Sequence, residues 1–304
     1  MPVLALAVLL LGQAAPSTAP GTEVRALTVT LLDDKDREVT DVSAADVALL
    51  ENGVSRDIAS FKPDRRPLSL AVLVDTSAAV GSSYRLNVVD AVAGLVTRLP
   101  DGSRYTLWTT GDRPTHVLDF TDDRGAAGKA LRMIAPQGGN YMLDAFSEAS
   151  ADLKKLSREG DRTAVVAVTF MGPEFSYLDK YRSADVAEKN AELFLSVQVE
   201  EAGGGADADF EMRSNVGYVM DRLARATGGR YEVILSAMGL DSALRKLSAH
   251  LRSAYRIAYA TVPDLKKREL DLSIARKGTK VILPVGSARE ATPREPSPTA
   301  PEPR

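Results

Sequence analysis

The stretch SLAVLVDTSAAVGSSYRL, residues 69–86, decides how this chain is read. Residues 68–75 form an uninterrupted apolar run rich in β-branched side chains, the composition of a parallel strand covered on both faces. The run stops at Asp75-Thr76-Ser77. Behind Ser82 or Ser83 as a helix cap, Leu86, Val89, Ala93 and Val96 then recur at three- and four-residue intervals until Pro100-Asp101-Gly102. A buried strand that enters a short polar loop and leaves as a helix is the unit of a doubly wound sheet.

Outward from this unit the alternation continues. RYTLWTT reads as a strand. A helix follows with Met142, Leu143, Phe146, Ala149, Leu153 and Leu156 on one face and ends at Gly160. TAVVAVTFM is a second fully apolar strand, and SADVAEKNAE is a polar helix. LFLSVQVE is a strand, NVGYVMDRLARAT a helix stopped by Gly228-Gly229, RYEVI a strand, and DSALRKLSAHLRSA a helix with Leu244, Leu247 and Leu251 in one stripe. The predicted fold class is α/β, a mainly parallel sheet with helices on both faces, over residues 67–260. The glycines and acids of residues 200–214 predict a flexible surface loop.

The flanks are different. Residues 24–66 show short alternating runs, with Asn52-Gly53 between two of them as a tight hairpin signal. YRIAYATV, RELDLSIA and TKVILPVG are three further strands. Neither group has enough strands to bury an apolar face alone, so the C-terminal strands, with residues 263–286, are expected to pack with the N-terminal ones in a small β-rich module. Residues 287–304, rich in Pro, Ser and charge, predict a disordered tail.

Residues 1–20 carry an apolar run of about ten residues followed by QAAPSTAPG, shorter than a membrane span of about 20 and shaped like a secretory signal, although no Lys or Arg precedes it. Export to the periplasm or medium is the expectation, with no membrane span in the mature chain. The 304 residues are 44% hydrophobic, enough for a sizeable core. With 38 basic and 41 acidic residues, a net charge of −3 and no basic block, a nucleic-acid surface is not expected. The chain has no cysteine, which excludes disulfides and thiolate chemistry, and its two histidines, His116 and His250, exclude a histidine-rich metal site. A hydrolase reading would make Ser77 the nucleophile, but no G-x-S-x-G elbow surrounds it; no glycine turn has phosphate-binding spacing either.

A strand ending LAVLVDTSAA, a later PQGGNYMLDAF, the strand AVVAVTFMG and the closing LARATGGRYEV together resemble the von Willebrand factor type A (VWA) domain, in order, over about residues 67–260. LTVTLLDDKDREVTDVSAADVALLENGVSRDIASFKP before it, and the strands after it, resemble exported bacterial VWA proteins with a flanking β module. The resemblance implies a non-catalytic protein-interaction domain whose upper loops bind partner proteins, often through a Mg²⁺ ion. The family's adhesion site uses Asp-x-Ser-x-Ser on one loop, Thr on a second and Asp on a third. Asp75 and Ser77 match. Ala79, Asn140 and Met171 stand at the other three positions. Alanine offers no donor atom and a thioether is a poor Mg²⁺ ligand, so a degenerate site with no cofactor is expected. The alternative is weak Mg²⁺ binding through Asp75, Ser77 and the Asn140 carbonyl, with Glu174 as substitute carboxylate. The expected partner face comprises Ser77, Ala78, Ala79, Tyr84, Asn140, Tyr141, Met171 and Phe175, toward an unidentified protein of the cell envelope. Core filling by Tyr141 and Phe175 is the competing assignment.

Overall fold

The computed structural model describes residues 23–200, 210–263 and 268–284. The expected signal at 1–20, most of the 200–214 loop and the tail at 287–304 lie outside them. The first half of the chain has strands β1 (Glu23–Asp33), β2 (Val47–Glu51), β3 (Val54–Arg56), β4 (Ile58–Pro63), β5 (Leu68–Val74), β6 (Arg104–Thr109) and β7 (Thr115–Thr121). Helices α1 (Val89–Thr97), α2 (Ala126–Arg132) and α3 (Met142–Leu156) follow β5 and β7. The second half alternates β8 (Arg162–Phe170), α4 (Lys180–Glu188), β9 (Leu193–Val199), α5 (Phe210–Thr227), β10 (Arg230–Ile234) and α6 (Leu240–Arg252). It closes with β11 (Ala254–Thr261), β12 (Leu270–Ile274) and β13 (Thr279–Ile282).

All seven residues of β5 are buried, because this strand lies inside a six-stranded sheet of order β10-β9-β8-β5-β6-β7. The sheet is parallel except for β7, which returns antiparallel to β6. Side chains of a strand alternate between faces, and both faces of β5 are covered. Leu70, Val72 and Val74 pack with Val92, Leu95, Leu244 and Leu247. Ala71 and Leu73 pack on the opposite side with Phe146, Leu153, Val219 and Leu223. Each such fully buried aliphatic side chain stabilises the fold by about 1.5–3 kcal/mol, and two such layers pin the strand ends where the upper loops begin.

Two local differences from the predicted elements have physical causes. Leu86 is 74% exposed, although its spacing put it in the buried stripe. The turn Tyr84–Val88 is wound wider than an α-helix, so the buried face falls on Tyr84, Val88, Val89, Val92 and Leu95 instead. Helix α2 was not expected at all: seven residues are too few to show a helical period, and Gly128 sits where a Cβ would meet the Ala93 methyl at 3.3 Å.

The flanking strands form two antiparallel sheets, β13-β1-β11-β4 and β12-β2-β3. β1 pairs with both β11 and β13, and β2 pairs with β12, so strands from the two ends of the chain hydrogen-bond to one another. Asn52 and Gly53 take positive φ of 51° and 80° at the β2–β3 hairpin. Leu31, Leu49, Tyr255, Ile257 and Leu272 fill the space between the sheets. The expected core limit at residue 260 runs through β11, which pairs only with flanking strands. Although Gly278 turns between them, β12 and β13 enter different sheets.

Candidate functional site

The candidate site lies at the carboxyl ends of β5, β6 and β8, where a doubly wound sheet presents its loops. The Asp75 N–H donates to Val168 O and Thr110 N–H to Val74 O, which fastens the three strand ends together. The first loop is held close to the second: Gly111 N–H donates to Thr76 Oγ1, and a Cβ at Gly111 would lie 2.4 Å from Thr76 O. Only glycine allows that approach.

Asp75 is fully buried, and its carboxylate is surrounded by neutral donors. Oδ1 accepts from Ser77 N–H at 2.8 Å. Oδ2 accepts from Phe170 N–H at 2.9 Å, Thr169 Oγ1 at 3.0 Å and Asn140 Nδ2 at 3.1 Å. Burial pushes the Asp75 carboxyl above the ordinary carboxylate range, and these hydrogen bonds pull it back part of the way. The Asn140 carbonyl is engaged elsewhere, accepting from Thr110 Oγ1 at 2.6 Å. Asn140 therefore turns hydrogens, not oxygen, toward Asp75. Thr110 and Thr169 were missed in the sequence; a strand-end threonine is indistinguishable there from an ordinary β-branched filler.

Glu174 is buried but does not reach Asp75. Its carboxylate accepts from Met142 and Leu143 N–H, each at 3.4 Å, and from the backbone and hydroxyl of Ser176. It caps the N-terminus of α3, and burial pushes its pKa up to about 7. Asp144 similarly accepts from Tyr177 and Leu178 N–H at 3.0 Å. Together these carboxylates pin the loop after β8.

That loop carries the exposed part of the site. Phe175 is half exposed, with its ring against Gly139, where a Cβ would lie 2.2 Å from the ring. Tyr141, partly buried, stands 6.4 Å from Phe175 and 6.1 Å from Tyr177 between ring centroids. Tyr177, absent from the expected face, is 92% exposed. Ala78 and Ala79 are exposed beside them and Met171 is half-buried. Ser77, Asn140 and Tyr84 are buried. Tyr84 is removed from the expected contact surface, because its hydroxyl donates to Leu131 O at 2.8 Å beneath α2.

Ser77 Oγ is buried without a hydrogen-bond partner, and neither histidine is bonded to it. His116 stacks on Trp108 at 4.7 Å and bonds Thr106, while His250, fully buried, meets Gly228 O at 3.0 Å. Among the described residues no group of three or more His, Asp or Glu is placed to hold a metal, and no helix is long and apolar enough to cross a membrane.

Residues 70–170 match the sequence model of the von Willebrand factor type A domain. Comparison of the sequence with curated proteins finds no match. Among solved structures, a von Willebrand factor type A protein from Catenulispora acidiphila superposes with a TM-score of 0.51 at 11% identity, over 88% of this chain and 73% of that one. BatB from Bacteroides thetaiotaomicron gives 0.45 at 17% identity over 61% of this chain and 100% of that one. The proximal thread matrix protein 1 of the mussel byssus, with zinc in its adhesion-site motif, gives 0.48 at 15% identity, over 66% of this chain and 49% of that one. The strand order, the loops converging on Asp75 and the match over residues 70–170 agree: this chain has the fold of the von Willebrand factor type A domain.

Proposed function

We propose that the chain is a non-catalytic, exported protein-interaction module whose upper loops bind an envelope protein without a metal. The observation that carries this is the contact of Asn140 Nδ2 with Asp75 Oδ2 at 3.1 Å. An amide hydrogen occupies the direction from which a cation would approach, and Ala79 and Met171 add no oxygen donor. Two oxygens, from Asp75 and Ser77, fall short of the six a hard dication takes, so the residues as arranged do not fit Mg²⁺. The contact surface is then Ala78, Ala79, Tyr141, Met171 and Phe175, extended by Tyr177: an aromatic and aliphatic rim of the composition that interfaces favour. Export rests on the apolar run and small-residue ending of residues 1–20.

A second reading has one observation in its favour. The buried Ser77 Oγ lacks a partner, as a ligand oxygen would in the absence of its ion. Weak Mg²⁺ binding through Asp75, Ser77 and Asn140 then requires the Asn140 amide to turn over and give up Thr110. The test is thermal unfolding in EDTA and in millimolar Mg²⁺ or Mn²⁺. An ion at 100 times its Kd adds about 2.7 kcal/mol, a shift of several degrees. The natural chain is expected to show none, and the triple variant Ala79→Ser, Asn140→Thr, Met171→Asp to gain one. A saturable shift in the natural chain favours the second reading. Capture of a partner from envelope extract should be equal with and without EDTA.

A further inference from the structure

At the opposite end of the sheet a cavity of about 310 Å³ lies in the seam between the VWA core and the β1–β11 sheet. That volume is at the lower limit of small-molecule sites, about 300–1,000 Å³. Its floor is the start of three core strands, with Leu68, Arg162 and Leu193, and its roof is the sheet face bearing Ala26, Thr28 and Arg256. Pro284 closes one side.

The charges around it do not balance. Arg66 is held by Asp64 at 2.8 Å and Glu192 at 3.0 Å. Arg162, only 6% exposed, donates to Leu251 O at 2.9 Å, but its Nε has no hydrogen-bond partner and lies 4.0 Å from Asp64, which already serves Arg66. Arg256 is exposed and has no acidic partner among the described residues. Cross-strand pairing puts Thr28 and Arg256 side by side, hence on the one sheet face that roofs the cavity. Three cations, Arg66, Arg162 and Arg256, thus line the cavity against one carboxylate, Glu192, with Asp64 behind them. An anion in the cavity would offset this excess of positive charge.

We propose that this seam binds a small organic carboxylate with an aliphatic body: the carboxylate between Arg162 and Arg256, the hydrocarbon against Ala26, Leu193 and Pro284. The walls exclude a bare inorganic anion as the best fit, because more than half of the named contacts would then lose water without gaining an apolar partner. The site lies at the end of the sheet away from Asp75, so it stands or falls independently of the metal-free interaction face.

Isothermal titration calorimetry on the full chain tests it with four probes: octanoate, the dipeptide acid N-acetyl-Ala-Leu, octanol and inorganic phosphate. Saturable one-to-one binding is expected for octanoate, for the dipeptide acid, or for both, which tells a fatty acid from a peptide carboxyl end. Octanol and phosphate should bind at least about tenfold more weakly, since each lacks one half of the match. Arg256→Glu, an exposed change that leaves the fold intact, should weaken the acid at least about tenfold, while Arg256→Lys retains most of the affinity. Absence of binding by both acids overturns the proposal, as does equal binding of octanol or phosphate, or an affinity unchanged in Arg256→Glu.

Discussion

Asp75 and Arg162 are buried charges at opposite ends of two adjacent strands, and they are treated in opposite ways. β5 pairs with β8 from Leu68 opposite Arg162 to Val74 opposite Val168, so the carboxylate sits just past the upper end and the guanidinium at the lower. Among the described residues the carboxylate has no ion-pair partner, and it is held by four neutral donors, two from backbone and two from side chains. The guanidinium has an acid within reach, shared with Arg66, yet keeps an unpartnered Nε. Hydrogen bonds to a charged group stabilise by about 1.5–3 kcal/mol each, whereas an ion pair in a buried setting often does little more than offset its own desolvation. The buried charge at the upper end is therefore fully hydrogen-bonded, and the one at the lower end is not.

The largest effect should come from breaking the upper arrangement. Asp75→Ala leaves Ser77 N–H, Phe170 N–H, Thr169 Oγ1 and Asn140 Nδ2 without their acceptor, all in a buried site. A loss of about 4 kcal/mol in urea unfolding is expected. A loss below about 1 kcal/mol would mean that Asp75 is not the hub of these loops.

The two ends should respond to acid in opposite directions: Glu174, raised to about 7 at the upper end, makes stability rise as pH falls from 7 toward 4.5, and His250 at the lower end makes it fall. Burial pushes His250 down to about 4, from an ordinary value of 6.5, with Arg230 and Arg162 adding to the shift. Because the folded pKa lies below the unfolded one, the unfolded chain binds the proton first. The His250 contribution is then fully present above pH 6.5 and lost as pH falls toward 4, by about 3 kcal/mol. His250→Gln should remove that loss and leave the rise from Glu174 unopposed between pH 7 and 4.5. An unchanged slope would place the acid sensitivity elsewhere.

What the sequence made legible follows from which signals are local. The run at residues 68–75, the helix stop at Gly228-Gly229 and the Asn52-Gly53 turn are each written in a few adjacent residues, and each is where it was expected. Asp75 and Asn140 could be brought together only through the family resemblance, since 65 residues separate them. The direction of the Asn140 amide was not legible, because it depends on Thr110 Oγ1 from a third loop. Glu174 was misjudged for the same reason: proximity in sequence to Met171 suggested a ligand, while the exposed N–H groups opening α3 claimed the carboxylate. The seam cavity left no signal at all, being built from strands at both ends of the chain.

Arg162→Met sharpens the comparison at moderate cost. The variant gives up one hydrogen bond to Leu251 O and removes a guanidinium edge that has no acceptor, while its thioether stem fills similar space. About 1 kcal/mol of destabilisation in urea is expected, against about 4 for Asp75→Ala. Equal costs would erase the distinction between the two ends.

The smallest effect on stability, and the most informative about function, belongs to Tyr177→Ser. The ring is 92% exposed, its aromatic neighbour is Tyr141, and the loop beneath is held by the backbone bond to Asp144, which the substitution keeps. Stability should stay within about 0.5 kcal/mol of the natural chain. Phe175→Ala removes a half-buried ring from Gly139 and should cost more, about 1 kcal/mol. If the upper rim is a contact surface, capture of the envelope partner falls in both variants although only one is measurably less stable. Should Tyr177→Ser leave capture intact while Phe175→Ala lowers it in step with stability, the rim serves the loop and not a partner.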